Sequence, residues 1–354
     1  MEGNFFSTTA SRIPFLAEKI VIVDGVPGCG KTMLSPIIGA LDRVELLTYA
    51  YAMEHLCALR YLGRVEEDAA VTMVRMLTDL QLYNTMMARE TNFRPSDLSS
   101  AFRSAHPLRY VRRLLLKGDE AIPQRISEEK PILHLTTHTL LGMGEPVVNA
   151  LGKRLTLIEV VRHPLYMLKQ QALNMERLLS SARHFTIYGK YQDQEIPFWA
   201  FGWEERFFQS NAVERAIYAM DYWTRRVEQK TAMLAEQSGA RIITIPFEQF
   251  VLNPWPYMEQ IVHALQTSVT GRTRKEMRKQ HVPRKKFAEG IPLQIYKRCG
   301  FEPAEKNATE KEEFMKRRQF AIEKNASSEA LCVLDKLSDA YEARYLDFER
   351  YIPR

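Results

Sequence analysis

KIVIVDGVPGCGKT, residues Lys19–Thr32, is the stretch that decides the fold. Its first half is a short β-branched run, the composition of a buried strand. Its second half, Gly25-Val-Pro-Gly-Cys-Gly-Lys-Thr32, matches the pattern G-x-x-x-x-G-K-[ST] in full and leads into a helical stretch from about Lys31. Strand, glycine-rich loop and helix, in that order, let backbone N–H groups turn inward around phosphate oxygens. The helix N-terminus adds a fixed partial positive charge and Lys31 a full one, and Thr32 is suited to orienting a phosphate or a magnesium ion. A glycine turn that only caps a helix would not need all these positions. The loop therefore predicts a nucleotide site built from Gly25, Pro27, Gly28, Cys29, Gly30, Lys31 and Thr32, without specifying the nucleotide or the group transferred.

Outward from this stretch, Ile132–Thr136, Leu155–Val161 (LTLIEVV) and Arg241–Ile245 (RIITI) read as further buried strands. Helices are expected after Pro164, over Glu214–Ser238 and over Asn253–Leu265. Residues from about Leu46 to Leu116 are rich in Met, Leu and Arg, have no strand-like run and read as helices. Apolar strands separated by helices imply a parallel sheet covered on both faces. The predicted class is α/β: a three-layer P-loop fold, a central parallel sheet flanked by helices, with helical insertions. No Gly/Ser/Pro linker divides the chain, so one domain over 1–354 is expected. Within it lie a helical insertion at 45–130, an aromatic-rich, lid-like insertion at 177–213 and a charged helical tail at 305–354.

The chain of 354 residues carries 49 Lys+Arg against 43 Asp+Glu. The surplus is local. Arg272, Arg274, Lys275, Arg278, Lys279, Arg284, Lys285 and Lys286 face one acid, Glu276, while the rest of the chain has a net charge of −1. A near-neutral body with one cationic segment excludes a general nucleic-acid coat and points to a local anionic partner. The segment lacks interleaved aromatics and no finger or RNA-binding motif is present, so nucleic acid is not expected as a partner. No apolar run reaches the ~20 residues of a membrane span. MEGNFFSTTASRIPF lacks the pattern of an export signal. Cys29, Cys57, Cys299 and Cys332 show no metal-ligand spacing and read as reduced thiols of a cytoplasmic protein. The sequons at Asn307 and Asn325 are then matches by chance.

A second constellation follows. A strand ends in Thr137-His138-Thr139-Leu140, and the next ends in Arg162-His163-Pro164 ahead of a helix. Pro246-Phe247-Glu248-Gln249-Phe250 follows the last strand, with Asn253-Pro254 a few residues on, and Arg284-Lys285-Lys286 precedes Gly290. In this order and spacing the chain resembles sulfotransferases that use 3′-phosphoadenosine-5′-phosphosulfate (PAPS). The matches cover about half of the chain; residues 45–130 and 177–213 lie outside them. The resemblance implies His138 as the base that takes a proton from a hydroxyl or amine of a small-molecule or carbohydrate acceptor. It implies Lys31 as the cation at the leaving phosphate, and Arg162 with Arg284, Lys285 and Lys286 as the nucleotide clamp. No metal is required.

The chain also departs from the family pattern. The family's loop lysine falls on Gly28, the cation having moved to Lys31. The serine expected eight residues after Arg162 falls on Gln170, and a lysine often found two before the base falls on Thr136. These departures keep ATP open as the nucleotide. In that reading Thr32 binds magnesium with Glu159 or Asp24, Asp42 or Glu45 is the base, and Arg177 and Arg183 serve as lid arginines. A third reading is a nucleotide-binding protein without catalysis. Nine aromatics between Phe185 and Phe208 form either a wall over an acceptor or a satellite hydrophobic cluster. Arg94, Arg103, Arg109, Arg112 and Arg113 either meet an anionic acceptor or lie on solvated helix faces. The acceptor and the oligomeric state are not specified by any motif.

Overall fold

In the computed structural model, which describes residues 8–346 apart from 179, 181–183, 291–296, 298–299, 301 and 303–307, five strands lie in one wholly parallel sheet. They are β1 (Ile20–Asp24), β2 (Thr48–Tyr49), β3 (Leu133–Thr136), β4 (Leu155–Val161) and β7 (Arg241–Pro246), in the spatial order β2-β3-β1-β4-β7. A separate antiparallel hairpin is made by β5 (Tyr188–Tyr191) and β6 (Gln194–Pro197). The central strand β1 is buried at every position and is flanked in register, with Ile20 beside both Leu133 and Leu155.

Alternate residues of a strand face opposite ways, and here both faces are covered. Val21, Val23, Ile158, Val160 and Ile245 pack against α1 (Lys31–Ile38), α7 (Pro164–Glu176), α10 (Phe247–Leu252) and α11 (Trp255–Leu265). Ile20, Ile22, Leu133, Leu135, Leu155 and Leu157 pack against α2 (Tyr51–Tyr61), α3 (Glu67–Met86), α5 (Ala121–Glu129) and α6 (Glu145–Leu151). The long α9 (Ala212–Ser238) contributes to both cores, and the C-terminal helix Ser328–Tyr345 lies on α7 and α9. This is the expected three-layer α/β class. It also explains why the strands read as continuous apolar runs rather than alternating ones.

One expectation needs correction. The stretch 45–130 is not wholly helical, because Thr48–Tyr49 pairs with Leu135 and Thr136 as the edge strand. Two half-exposed residues leave no hydrophobic pattern to read. This strand nevertheless delivers α2 to the carboxyl edge of the sheet, where the turns after β1, β3 and β4 also emerge. In open parallel sheets that edge, where neighbouring connections diverge, forms the ligand crevice. Among the described residues no helix is long and apolar enough to cross a membrane.

His134 on β3 is fully buried, and neither ring nitrogen has a hydrogen-bond partner among the described residues. Burial pushes its pKa down to about 4, offset only in part by the Glu45 backbone carbonyl. The unfolded imidazole titrates near 6.5. The neutral ring's contribution is therefore complete above pH ~6.5 and is lost as pH falls towards 4, by on the order of 3 kcal/mol. His106 is also held down to about 4, by burial and by Arg109 and Arg272, and adds to the same window. Denaturant unfolding of wild type and His134→Leu at pH 7 and pH 4.5 should show a shallower pH dependence in the variant. Equal slopes would refute this assignment.

Candidate active site at the carboxyl edge of the sheet

The phosphate loop is shaped by close backbone approach. Gly30 has φ 111°, and a Cβ there would enter the Phe247 ring. Gly25 has φ 137°, and a Cβ would run into the Val160 carbonyl and Cys29 Sγ. Both positions thus need glycine for conformation and for space. Lys31, the first residue of α1, is buried; its ammonium donates to the Gly25 carbonyl and, at 3.3 Å, to that of Val26. The cation therefore lies across the loop, among carbonyls that a phosphate could replace as its partner. Cys29 Sγ lies 3.8 Å away, and burial pushes this thiol's pKa up despite Lys31, so it is not an open nucleophile. From α7, Gln171 Nε2 donates to the Pro27 carbonyl at 2.7 Å. Gln170 lies beside Gly28, where a Cβ would come within 3.3 Å of its Oε1.

His138 sits in the turn after β3, which Asp24 organises. The Asp24 carboxylate is buried and accepts from Thr137 Oγ1 at 2.9 Å, Leu140 N at 3.0 Å and Leu141 N at 2.8 Å. On the other side, Glu54 of α2 accepts from the His138 backbone N–H at 2.5 Å, and its Oε2 lies 3.2 Å from Nδ1. A carboxylate at Nδ1 favours the tautomer that leaves Nε2 as the free base. The ring stacks on Tyr51, 6.1 Å between centroids and 15° between planes, and its side chain is 32% exposed while Glu54 is buried. The result is an imidazole fixed in orientation with one edge open.

Arg162, at the end of β4, reaches under the loop. Its Nη1 donates to the Gly28 carbonyl at 2.9 Å, its Nε lies 3.8 Å from Glu248, and its guanidinium packs between the Tyr166 and Phe247 rings. Glu248 is itself buried and accepts from Tyr341 of the C-terminal helix. Arg284 approaches the same Phe247 ring, at 5.5 Å. Lys286 Nζ donates to the Ala308 carbonyl, and the Lys285 backbone donates to Glu289. Arg272, Arg274, Lys275, Arg278 and Lys279 belong to α12 (Gly271–Lys279). That helix is capped by Thr270 and Thr273 on the Ala40 carbonyl, beyond the far end of α1. Five of the eight basic residues therefore lie on α12, away from the loop, and of the other three Arg284 approaches the ring that packs on Gly30.

Several sequence candidates lie elsewhere. Asp24 has its oxygens engaged by the His138 turn. Glu159, in register with Asp24, accepts from Thr244, and burial pushes its carboxyl up to about 7. Glu45 is at the opposite edge of the sheet, where its backbone N–H meets Ile132 O. There buried Arg113 binds it in a fork at 2.7 and 2.9 Å, with Arg109 at 3.5 Å. Burial opposes its charge, but these arginines hold its pKa below the usual range. Asp42 lies at that edge too, its carbonyl accepting from Thr267. Buried Arg113 and partly buried Arg109 thus anchor Glu45 at the edge of the sheet opposite His138. Arg177 is exposed at the end of α7, and Arg183 and Cys299 lie outside the described residues.

A cleft of about 380 Å³ opens beside His138. The loop residues Val26 and Pro27 form one wall, His138 and Thr139 another. Gln170, Gln171 and Asn174 of α7 continue it, and Tyr51, Met175, Met220, Trp199 and Trp223 supply apolar surface. Of the nine aromatics of the excursion, only Trp199 lines this cleft. Phe201, Trp203, Phe207, Phe208 and Tyr191 pack with Ile196 and Ala200 as a satellite core. Phe185 leans on Tyr51, and its carbonyl meets His55 Nε2 at 2.7 Å. No motif in the sequence marks Glu54, Tyr51 or Tyr166 as part of the site. The pairing of Glu54 with His138 spans 84 residues and left no local signal.

No family model matches the chain, and no curated protein does. Among solved structures it is similar to a sulfotransferase from Mycobacterium avium, with 14% identity, 94% of this chain and 78% of that one covered, and a TM-score of 0.40. It is similar to the sulfotransferase domain from the curacin biosynthetic pathway, with 12% identity, coverage of 93% and 99%, and a TM-score of 0.40. A mouse sulfotransferase complexed with PAP is 10% identical, with coverage of 93% and 90% and a TM-score of 0.31. At such values the chemistry of this chain has to come from its own side chains.

Proposed function

We propose that the chain is a sulfotransferase-like transferase that moves a sulfuryl group from PAPS to a hydroxyl or amine of a small-molecule or carbohydrate acceptor, with His138 as the base. The observation that carries this reading is the shared cleft: the phosphate loop and an imidazole oriented by a buried carboxylate line one cavity. The residues suit an anionic nucleotide, because Arg162 Nε is buried beside the loop without a hydrogen-bond partner among the described residues. PAPS supplies the activated sulfuryl group, whose bond to the nucleotide phosphate breaks as the bond to the acceptor forms.

The chain's own contribution divides into three parts. Lys31 and the amides of Gly28–Thr32 neutralise charge at the phosphate next to the transferred group. Arg162, Gln170, Arg284, Lys285 and Lys286 hold the nucleotide and fix its register along the loop, with Gly25, Pro27 and Cys29 shaping the backbone around it. His138 Nε2 accepts the acceptor's proton, and Glu54 stabilises the imidazolium that results. The reading with ATP and magnesium retains Gly30-Lys31-Thr32 in its favour, but Asp24 is committed to three donors and Glu45 and Asp42 lie at the far edge. Unpaired Cys29, Cys57 and Cys332 are consistent with a cytoplasmic setting.

Incubation with PAPS and panels of phenols, alkanols, amines and sugars, without magnesium, should release adenosine 3′,5′-bisphosphate only when a suitable acceptor is present. Absence of acceptor-dependent release across all four classes, together with magnesium-dependent ATP turnover, would overturn the reading. Glu54→Gln keeps the shape but removes the charge opposite Nδ1. We expect kcat to fall by roughly tenfold or more with little change in KM for the nucleotide. An unchanged kcat would remove Glu54 from the site.

A further inference from the structure

Beside the phosphate loop, five side chains alternate between cation and ring. The Arg317 guanidinium, from helix Glu310–Glu323, lies 4.2 Å from the centroid of Tyr166. Arg162 lies 5.1 Å from that same ring and 4.3 Å from Phe247, and Arg284 lies 5.5 Å from Phe247. Aromatic faces screen and attract each guanidinium, but they accept no N–H hydrogen bond of ordinary strength. Glu248 stands 3.8 Å from Arg162, and Glu313 accepts from Arg317 Nη2 at 3.3 Å. The Nε atoms of both Arg162 and Arg317 are nevertheless buried without a hydrogen-bond partner among the described residues. Unpaired buried donors are uncommon and costly. Two of them, on guanidiniums that share one ring, call for acceptor oxygens at the same place.

The helix that carries Arg317 also sets the position of the basic segment. Glu310 Oε1 accepts from Phe287 N at 2.7 Å, and Oε2 accepts from Tyr166 OH at 3.0 Å. One carboxylate thus ties the residues after Arg284-Lys285-Lys286 to α7, with Arg317 two turns further along. Guanidinium groups suit phosphate because their donors are planar and paired.

We propose that Arg317 is a nucleotide-binding residue that, with Arg162, takes the phosphate monoester on the nucleotide's ribose. This rests on the PAPS reading above and adds a ligand from the C-terminal helices to it. Dissociation constants for adenosine 3′,5′-bisphosphate and adenosine 5′-monophosphate, measured by calorimetry without magnesium, test it in wild type, Arg317→Met and Arg318→Met. Arg318 is the neighbouring control, paired with Asp335 at the surface. Wild type and Arg318→Met should prefer the bisphosphate, and Arg317→Met should lose roughly tenfold of that preference while keeping its affinity for the monophosphate. A wild type without preference would defeat the PAPS reading itself. A preference that survives in Arg317→Met would defeat only the role of Arg317. Arg317→Lys, which keeps the charge but not the planar fork, gives the same comparison should the methionine variant fold poorly, and full preference there would equally count against the proposal.

Discussion

Replacing His138 by alanine should lower kcat by ~10² or more, with nucleotide affinity nearly unchanged. The size follows from what the ring does. Its Nδ1 side is taken by Glu54 and its backbone N–H by the same carboxylate. The residue lines the cleft that Val26 and Pro27 of the phosphate loop also line. Without the imidazole, the acceptor would have to attack while still protonated or lose its proton to water. The fold should tolerate the change, because the turn is held by Asp24 through Thr137, Leu140 and Leu141 rather than by the His138 side chain. Steady-state rates at saturating nucleotide provide the check. Near-normal turnover would move the base elsewhere and leave His138 as a packed partner of Tyr51 and Glu54.

Lys31→Met should be comparably severe, costing ~10²–10³ in transfer rate. Methionine preserves the buried stem and removes only the ammonium that lies across the loop, against the Gly25 and Val26 carbonyls. The loop amides and the N-terminus of α1 would still attract a phosphate, so binding should suffer less than rate. That split is the signature of a charge that matters most where negative charge builds up. A loss confined to binding, with kcat retained, would show that the moved lysine is a nucleotide anchor and that the transition-state charge is met from another side.

The strands and the loop were legible because their signals are local. A β-branched run before Gly25-Val-Pro-Gly-Cys-Gly-Lys-Thr32 has few other structural uses, and LTLIEVV carries apolar side chains on both faces because both faces of β4 are covered. The edge strand Thr48–Tyr49 was not legible, being too short to carry a pattern. Within the site, the positions of His138, Arg162 and Gln170 around the loop follow from turns and helices whose order the sequence reveals. The partners of those residues do not. Glu54 meets His138 only because β2 brings α2 to the carboxyl edge. Asp24 resembles a metal ligand in the sequence yet serves as the brace of a turn, and Glu45 resembles a base yet lies at the far edge under Arg113. The aromatic excursion shows the same limit: composition marks a cluster, but packing decides that Trp199 faces the cleft while Phe207 faces its own neighbours.

The central claim is that this edge of the sheet holds a 3′-phosphorylated adenosine nucleotide and transfers its group without magnesium. Calorimetric titration of adenosine 3′,5′-bisphosphate in the presence of a chelator, beside an ATP-turnover assay with magnesium, tests it most directly. Bisphosphate binding should be saturable with chelator present and weakened by Arg162→Met, and no magnesium-dependent ATP turnover should appear. Magnesium-dependent ATP turnover, with no binding of the bisphosphate, would contradict it.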